Sequence, residues 1–188
     1  MIPADRAAKA PELQVERWFN VSEPPTLAGL RGRVVAIEAF QMLCPGCVSH
    51  GLPQAQRIRA AFPERDVAVI GLHSVFEHHA AMEPHALEAF LHEYRIAFPV
   101  AVDAPSEGEP VPRTMRAWEQ RGTPTLWLLD RQGRIRAEHL GSNHDMVIGA
   151  QIAALVAEDA GKIVEPIGAA SSDGPVCRPG MDRGKDAV

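Results

Sequence analysis

Cysteine, aromatic residues and net positive charge are all scarce in this chain. Three cysteines occur in 188 residues. An odd number with a single close pair cannot supply the multi-bridge framework of small secreted scaffolds. Phe, Trp and Tyr make up 5% of the sequence, so Leu, Val, Ile and Ala must fill most of any core. The formal net charge is −5 and no stripe of Lys or Arg runs through the chain. A phosphate backbone finds little to bind there, and nucleic acid is not an expected partner. No segment approaches the ~20 consecutive apolar residues of a membrane span. Residues 1–10 lack the apolar centre of a secretory leader. A cytoplasmic protein without membrane attachment is expected.

What is present suffices for one globular domain, with 46% hydrophobic and 23% charged residues. Residues 1–12 are polar, with Pro3 and Pro11, and are expected to lie loosely on the surface as a flexible segment. The folded domain is expected over 13–159. The Gly-, Pro- and Ser-rich stretch 160–188 has no periodicity and reads as a disordered tail.

Within the domain, Leu13, Val15 and Trp18-Phe19 read as a first short strand. Residues 34–40 and 67–72 are continuous apolar runs rich in β-branched side chains, the pattern of strands buried on both faces. Between them Val48, Leu52, Ala55, Ile58 and Phe62 recur every three or four positions and predict one apolar stripe along a helix. Further helices are predicted over 84–95, around Met115 and Trp118, and over 146–156, with a short strand at 98–103. Residues 125–129 and 135–139 predict a hairpin turning on Asp130-Arg131-Gln132-Gly133. Strands alternating with helices, then a hairpin and a helix, predict an α/β domain on a mixed sheet.

The strongest local signal is Cys44-Pro45-Gly46-Cys47, set between a buried strand and an amphipathic helix. Proline is favoured at the first helical position, where its missing N–H had no partner anyway. Cys44 then stands at the helix N-terminus, where unpaired N–H groups and the helix dipole favour a thiolate, the nucleophilic form. Cys47 lies one turn on, within reach of that sulfur, so Cys44 can attack a disulfide and Cys47 can resolve the mixed disulfide. The competing use of the pair is metal ligation. His50 extends the motif to Cys44-x-x-Cys47-x-x-His50, which allows a non-enzymatic metal-binding or assembly module. A structural zinc needs four ligands, however, and the remaining thiol, Cys177, falls in the predicted tail, so redox chemistry without a cofactor is favoured.

With Leu30-Arg31-Gly32-Arg33-Val34-Val35, Gly122-Thr123-Pro124-Thr125 and Leu129-Asp130-Arg131-Gln132-Gly133-Arg134-Ile135, the dithiol motif makes residues 13–156 resemble the thioredoxin superfamily, in its TlpA-like/redoxin (AhpC/TSA-related) branch. The resemblance implies a thioredoxin-like fold: a central mixed sheet flanked by helices, an N-terminal strand extension and an inserted helical segment. It implies thiol–disulfide exchange with a disulfide-bearing protein or small-thiol substrate, and a thiol reductant or reductase as second partner. It makes Pro124 the cis-proline beside the dithiol, with the backbone of Thr123 pairing with substrate, and adds Pro45 and Gly46 to the substrate-contacting surface. Glu38, six residues before Cys44, matches the buried acid of the family. Burial would raise its pKa and suit it to exchange a proton with Cys47, whereas an outward-pointing Glu38 would have no such role.

Two positions depart from the family pattern. Leu43 replaces the aromatic residue common before the first cysteine, and Pro53 lies six rather than five residues after Cys47. A peroxiredoxin-like peroxidase is the alternative on the same fold. Its Pro-x-x-x-Thr/Ser-x-x-Cys pattern would need a hydroxyl where Gln41 stands and a proline where Ile37 stands. His73, His78, His79, His85 and His92 follow no metal-ligand spacing and are expected on a solvated loop and helix face. Trp18, Trp118 and Trp127 are read as core or rim packing, and Cys177 as an exposed, inert thiol.

Overall fold

Two apolar runs make the centre of the sheet in the computed structural model, which describes residues 1–158. Strands β2 (Val34–Phe40) and β3 (Val67–His73) are buried at every position, as parallel strands covered on both faces must be. They pair in parallel, and β3 pairs in parallel with β4 (Val100–Asp103). Strand β1 (Val15–Phe19) closes one edge antiparallel to β4. On the other side β5 (Thr125–Leu129) runs antiparallel to β2, and β6 (Ile135–Leu140) antiparallel to β5. The six strands lie in the order β1-β4-β3-β2-β5-β6. This is the mixed-sheet α/β, thioredoxin-like architecture. The anticipated hairpin turns where expected, with Gly133 at φ 70°.

Alternation along β2 divides the core. Val34, Ala36 and Phe40 face a layer of helices: α1 (Leu52–Ala61), α2 (Pro84–Glu93) and α4 (Asp145–Glu158). Val35, Ile37 and Ala39 face the opposite layer, built from Ala10, Leu27, Leu30 and Trp118. Trp118 follows the short helix α3 (Arg113–Ala117) and meets Trp127 edge-on, ring centroids 5.3 Å apart. No helix among the described residues is long and apolar enough to cross a membrane.

Residues 1–12, expected to lie loosely, are instead hydrogen-bonded to the body. Ile135 N donates to Ala8 O at 2.8 Å, Ala10 N to Gly133 O at 2.9 Å, and Ile2 N to Arg136 O at 2.6 Å. Glu12 accepts the backbone N–H groups of Leu27 and Ala28 at 2.8 and 2.7 Å. Apart from the Glu12 carboxylate, the attachment is carried by backbone groups along the β6 edge of the sheet, to which side-chain polarity is blind. The predicted tail, with Cys177, lies outside the described residues.

Composition also hides a buried acid at the end of β4. Asp103 accepts Thr114 N at 2.8 Å and Met115 N at 2.9 Å, capping α3, and receives Ser74 Oγ at 3.1 Å. Burial pushes its pKa up, opposed by these donors. Asp103→Ala strands three buried donors, and urea unfolding should read a loss of about 3 kcal/mol or more.

Candidate active site

Cys44 sits where the parallel strands end, the position at which open α/β sheets present their sites. After β2 the chain turns through Gln41, whose carbonyl receives Cys44 N at 3.2 Å. Val48 N then donates to Cys44 O at 3.1 Å, which makes Cys44 the residue that starts the helix, with Pro45 in its first turn. An N-cap side chain ordinarily accepts an N–H from the first turn. Here the acceptor is sulfur: Cys47 N–H points at Cys44 Sγ at 3.2 Å.

The two cysteines are unlike. Cys44 is half-buried and both are free thiols, but Cys47 is wholly buried in the helix-side core. Burial, and the contact with Cys44, push the Cys47 thiol well above its ordinary value. Cys44 Sγ also donates to Thr123 O at 3.6 Å. The Thr123–Pro124 peptide bond is cis, and Pro124 packs against the dithiol turn. A Cβ on Gly46 would stand 3.2 Å from Pro124 Cδ, a tight approach that the glycine relieves.

The helix is not uniform. Cys47–Gly51 forms a single π turn, closed by Leu52 N donating to Cys47 O, before α1 begins. A π turn holds one residue more than an α turn, which accommodates the six-residue spacing from Cys47 to Pro53. Ser49 Oγ donates to Pro45 O at 2.7 Å and lies 2.7 Å from His50 Nδ1, leaving His50 exposed on the outside of the turn.

Glu38 points inward. It lies on the strand face shared by Val34, Ala36 and Phe40, the face that holds Cys47, and is 1% exposed. Its Oε1 has no hydrogen-bond partner. Burial raises its pKa from 4.5 to about 8. Gly51 lies directly over this carboxyl: a Cβ there would collide with Glu38 Oε1 and stand 2.9 Å from Pro124 Cβ. Glu38, Gly51 and Pro124 thus meet beneath the dithiol turn. The sequence reading missed Gly51, because an isolated glycine inside a helical pattern signals only a propensity cost until its neighbour is known.

His73 corrects a sequence expectation. It is fully buried at the end of β3, its ring 5.2 Å from that of Phe40, and neither ring nitrogen has a partner. Burial lowers its pKa to about 4. The other four histidines of the cluster are exposed. Among the described residues no group of three His, Cys, Asp or Glu is placed to hold a metal ion. Gln41, where a peroxidase would carry a hydroxyl, is buried and accepts Phe76 N at 3.2 Å, so it braces the loop after β3.

Known proteins share the family and the fold. The AhpC/TSA family matches residues 7–138. The crystal structure of a thioredoxin-like superfamily protein is 60% identical, covering 81% of this chain and 98% of that one, with a TM-score of 0.79. A thiol-disulfide isomerase from Corynebacterium glutamicum is 51% identical over 80% of this chain and 97% of that one, TM-score 0.78. A thiol:disulfide interchange protein from Chlorobium tepidum, at 22% identity and a TM-score of 0.63 over 80% of this chain and 96% of that one, shares the fold. No curated protein matches the chain.

The acid has a signature in stability. Folded Glu38 keeps its proton to about pH 8, whereas in the unfolded chain it ionises near 4.5. Its contribution to stability is therefore complete below 4.5 and is lost as pH rises towards about 8. Glu38→Gln cannot ionise. In urea titrations it should match the parent in acid and exceed it in mild alkali by several kcal/mol, at ~1.4 kcal/mol per pKa unit.

Proposed function

The chain belongs to the AhpC/TSA family, and on that premise we propose that it is a thiol–disulfide oxidoreductase working through Cys44 and Cys47. The observation that carries the reading is the Cys47 N–H aimed at Cys44 Sγ at 3.2 Å, with that sulfur half-buried and its partner sealed in the core. The 51% identity to a thiol-disulfide isomerase supports the same chemistry.

The order of events follows from access. Cys44 as thiolate attacks one sulfur of a substrate disulfide; a Cys44–substrate bond forms, the substrate S–S bond breaks, and the other substrate sulfur leaves as a thiolate. Cys47 then loses its proton and attacks Cys44 Sγ. The Cys44–Cys47 bond forms, the Cys44–substrate bond breaks, and the second substrate sulfur is released. Two electrons have passed from the dithiol to the substrate. An external thiol reductant restores the enzyme by the reverse exchange.

A buried thiol needs a base to give up its proton, and Glu38 is the buried acid on the strand face that also holds Cys47. At a pKa of about 8 it is ionised in about a tenth of molecules near neutral pH. The base fraction grows as pH rises towards that value. Pro124, Gly46 and Pro45 form the wall against which a substrate strand docks, with the Thr123 backbone as its hydrogen-bonding edge. Substrates of this kind are disulfide-bearing proteins or small disulfides. In a reducing cytoplasm, the location we infer, the dithiol is held reduced and the working direction is reduction.

Cys44→Ser should abolish insulin reduction in the presence of dithiothreitol. Cys47→Ser should keep the first step and accumulate a dithiothreitol-sensitive adduct with oxidised insulin, visible by mass spectrometry. Absence of that adduct would count against Cys44 as the attacking thiol.

A further inference from the structure

Three unfavourable features coincide at one contact. Glu38 is buried with Oε1 unpartnered, which costs free energy. Gly51 stands within the helical run, where glycine is about 1 kcal/mol worse than alanine. The chain at that point forms a π turn, a rare geometry that is frequent at functional sites. None of the three explains the others through backbone requirements: Gly51 has φ −59° and ψ −58°, angles any residue adopts. What glycine supplies is the missing Cβ, in whose space the Glu38 carboxyl lies, with Glu38 Cδ 3.0 Å and Pro124 Cβ 2.9 Å from the position a Cβ would take.

We propose that Gly51 is a positioning residue for the Glu38 carboxyl, and that its bare backbone sets the rate at which Cys47 closes the ring onto Cys44. The inference rests on the oxidoreductase reading above and names what tunes its second step. In that step the Cys47 proton passes to the Glu38 carboxylate, the Cys47–Cys44 bond forms, and the substrate sulfur leaves with the electrons of the broken bond. A methyl at 51 displaces the carboxyl. It also presses on Pro124 Cβ, but Cys44 itself is not among the atoms it meets, so the first attack is affected less than ring closure. The titratable groups on this face are Cys44, Cys47, Glu38 and His73; His73, with its pKa near 4, stays neutral across the range in which Glu38 ionises.

The test uses dithiobis(nitrobenzoate) on the reduced full chain carrying Cys177→Ser, so that only the dithiol reacts. Attack by Cys44 releases the first nitrothiobenzoate and ring closure by Cys47 the second, so stopped-flow absorbance reads the two steps separately. In the parent, the second phase should accelerate as pH rises towards about 8, and Glu38→Gln should remove that limb. Gly51→Ala should leave the first phase within about twofold while slowing the second by about tenfold or more, with a weakened pH limb. Adding Glu38→Asp, which shortens the acid and relieves its clash with the methyl while the contact with Pro124 Cβ remains, should restore the pH limb and part of the rate.

A parent that releases no second equivalent overturns the oxidoreductase reading itself. Retention of the limb by Glu38→Gln overturns the proton role of Glu38. If Glu38→Gln loses the limb but folded Gly51→Ala closes at the parental rate, only the present proposal fails. Should Gly51→Ala not fold, the double variant decides: closure with the pH limb upholds the proposal and closure without it overturns it.

Discussion

A sulfur atom occupies the place of a helix-capping oxygen, and the rest of the site is arranged around that substitution. Cys44 takes the position usually given to Ser, Thr, Asp or Asn, and Cys47 N–H meets its Sγ at 3.2 Å. The helix can begin there because Pro45 fits the first turn and because β2 delivers the chain to the carboxyl end of the parallel strands. Move the start by one residue and the sulfur loses its donor. The registers of β2 against β3 and β5 are therefore part of the chemistry, since they fix where the strand stops.

A second constraint works from below. Pro124 reaches the dithiol turn at two glycines, touching the space above Gly46 on one side and Gly51 on the other. Each glycine sits at ordinary helical angles, so neither is there for backbone freedom. At Gly51 another group fills the volume of a methyl, and at Gly46 the approach is only tight. The result is a short stack of Pro124, the helix backbone and the Glu38 carboxyl, which leaves Cys44 facing outward and seals Cys47 inside. That asymmetry separates the environments of two chemically identical side chains.

Much of this was legible beforehand. The β-branched runs of β2 and β3 identify strands buried on both faces because burial on two sides leaves no alternation to confuse the reading. Cys44, Pro45 and Cys47 declare a helix start by propensity alone. Glu38 was ambiguous because alternation says that side chains change sides but not which side is which. Only the partition of Val34, Ala36 and Phe40 from Val35, Ile37 and Ala39 settles it. The docking of residues 1–12 and the burial of His73 were illegible for another reason. Both depend on what lies across an edge or at a strand's end, where side-chain polarity carries little information. Gly51 escaped because a glycine at normal φ looks like a weak helix residue until its neighbour is known.

An unpartnered acid in a core ordinarily gives way, either by finding a donor or by being replaced with a leucine. Glu38 has done neither, and the surroundings show that it is accommodated rather than tolerated. A glycine clears its oxygen, a widened turn passes over it, and the strand face that carries it also carries Cys47. A purely structural carboxyl would be satisfied by one backbone N–H, as Asp103 is by two. The contrast between these two buried acids locates the difference: Asp103 holds its place by the bonds it accepts, whereas Glu38 leaves Oε1 without a hydrogen-bond partner on the strand face that also holds Cys47. Burial raises the pKa of both, but only at Glu38 is it unopposed by any hydrogen bond, which brings its titration to about 8. On the mechanism proposed above, a carboxyl that titrates there is matched to exchanging a proton near neutral pH, whereas one held ionised by donors is a weaker base.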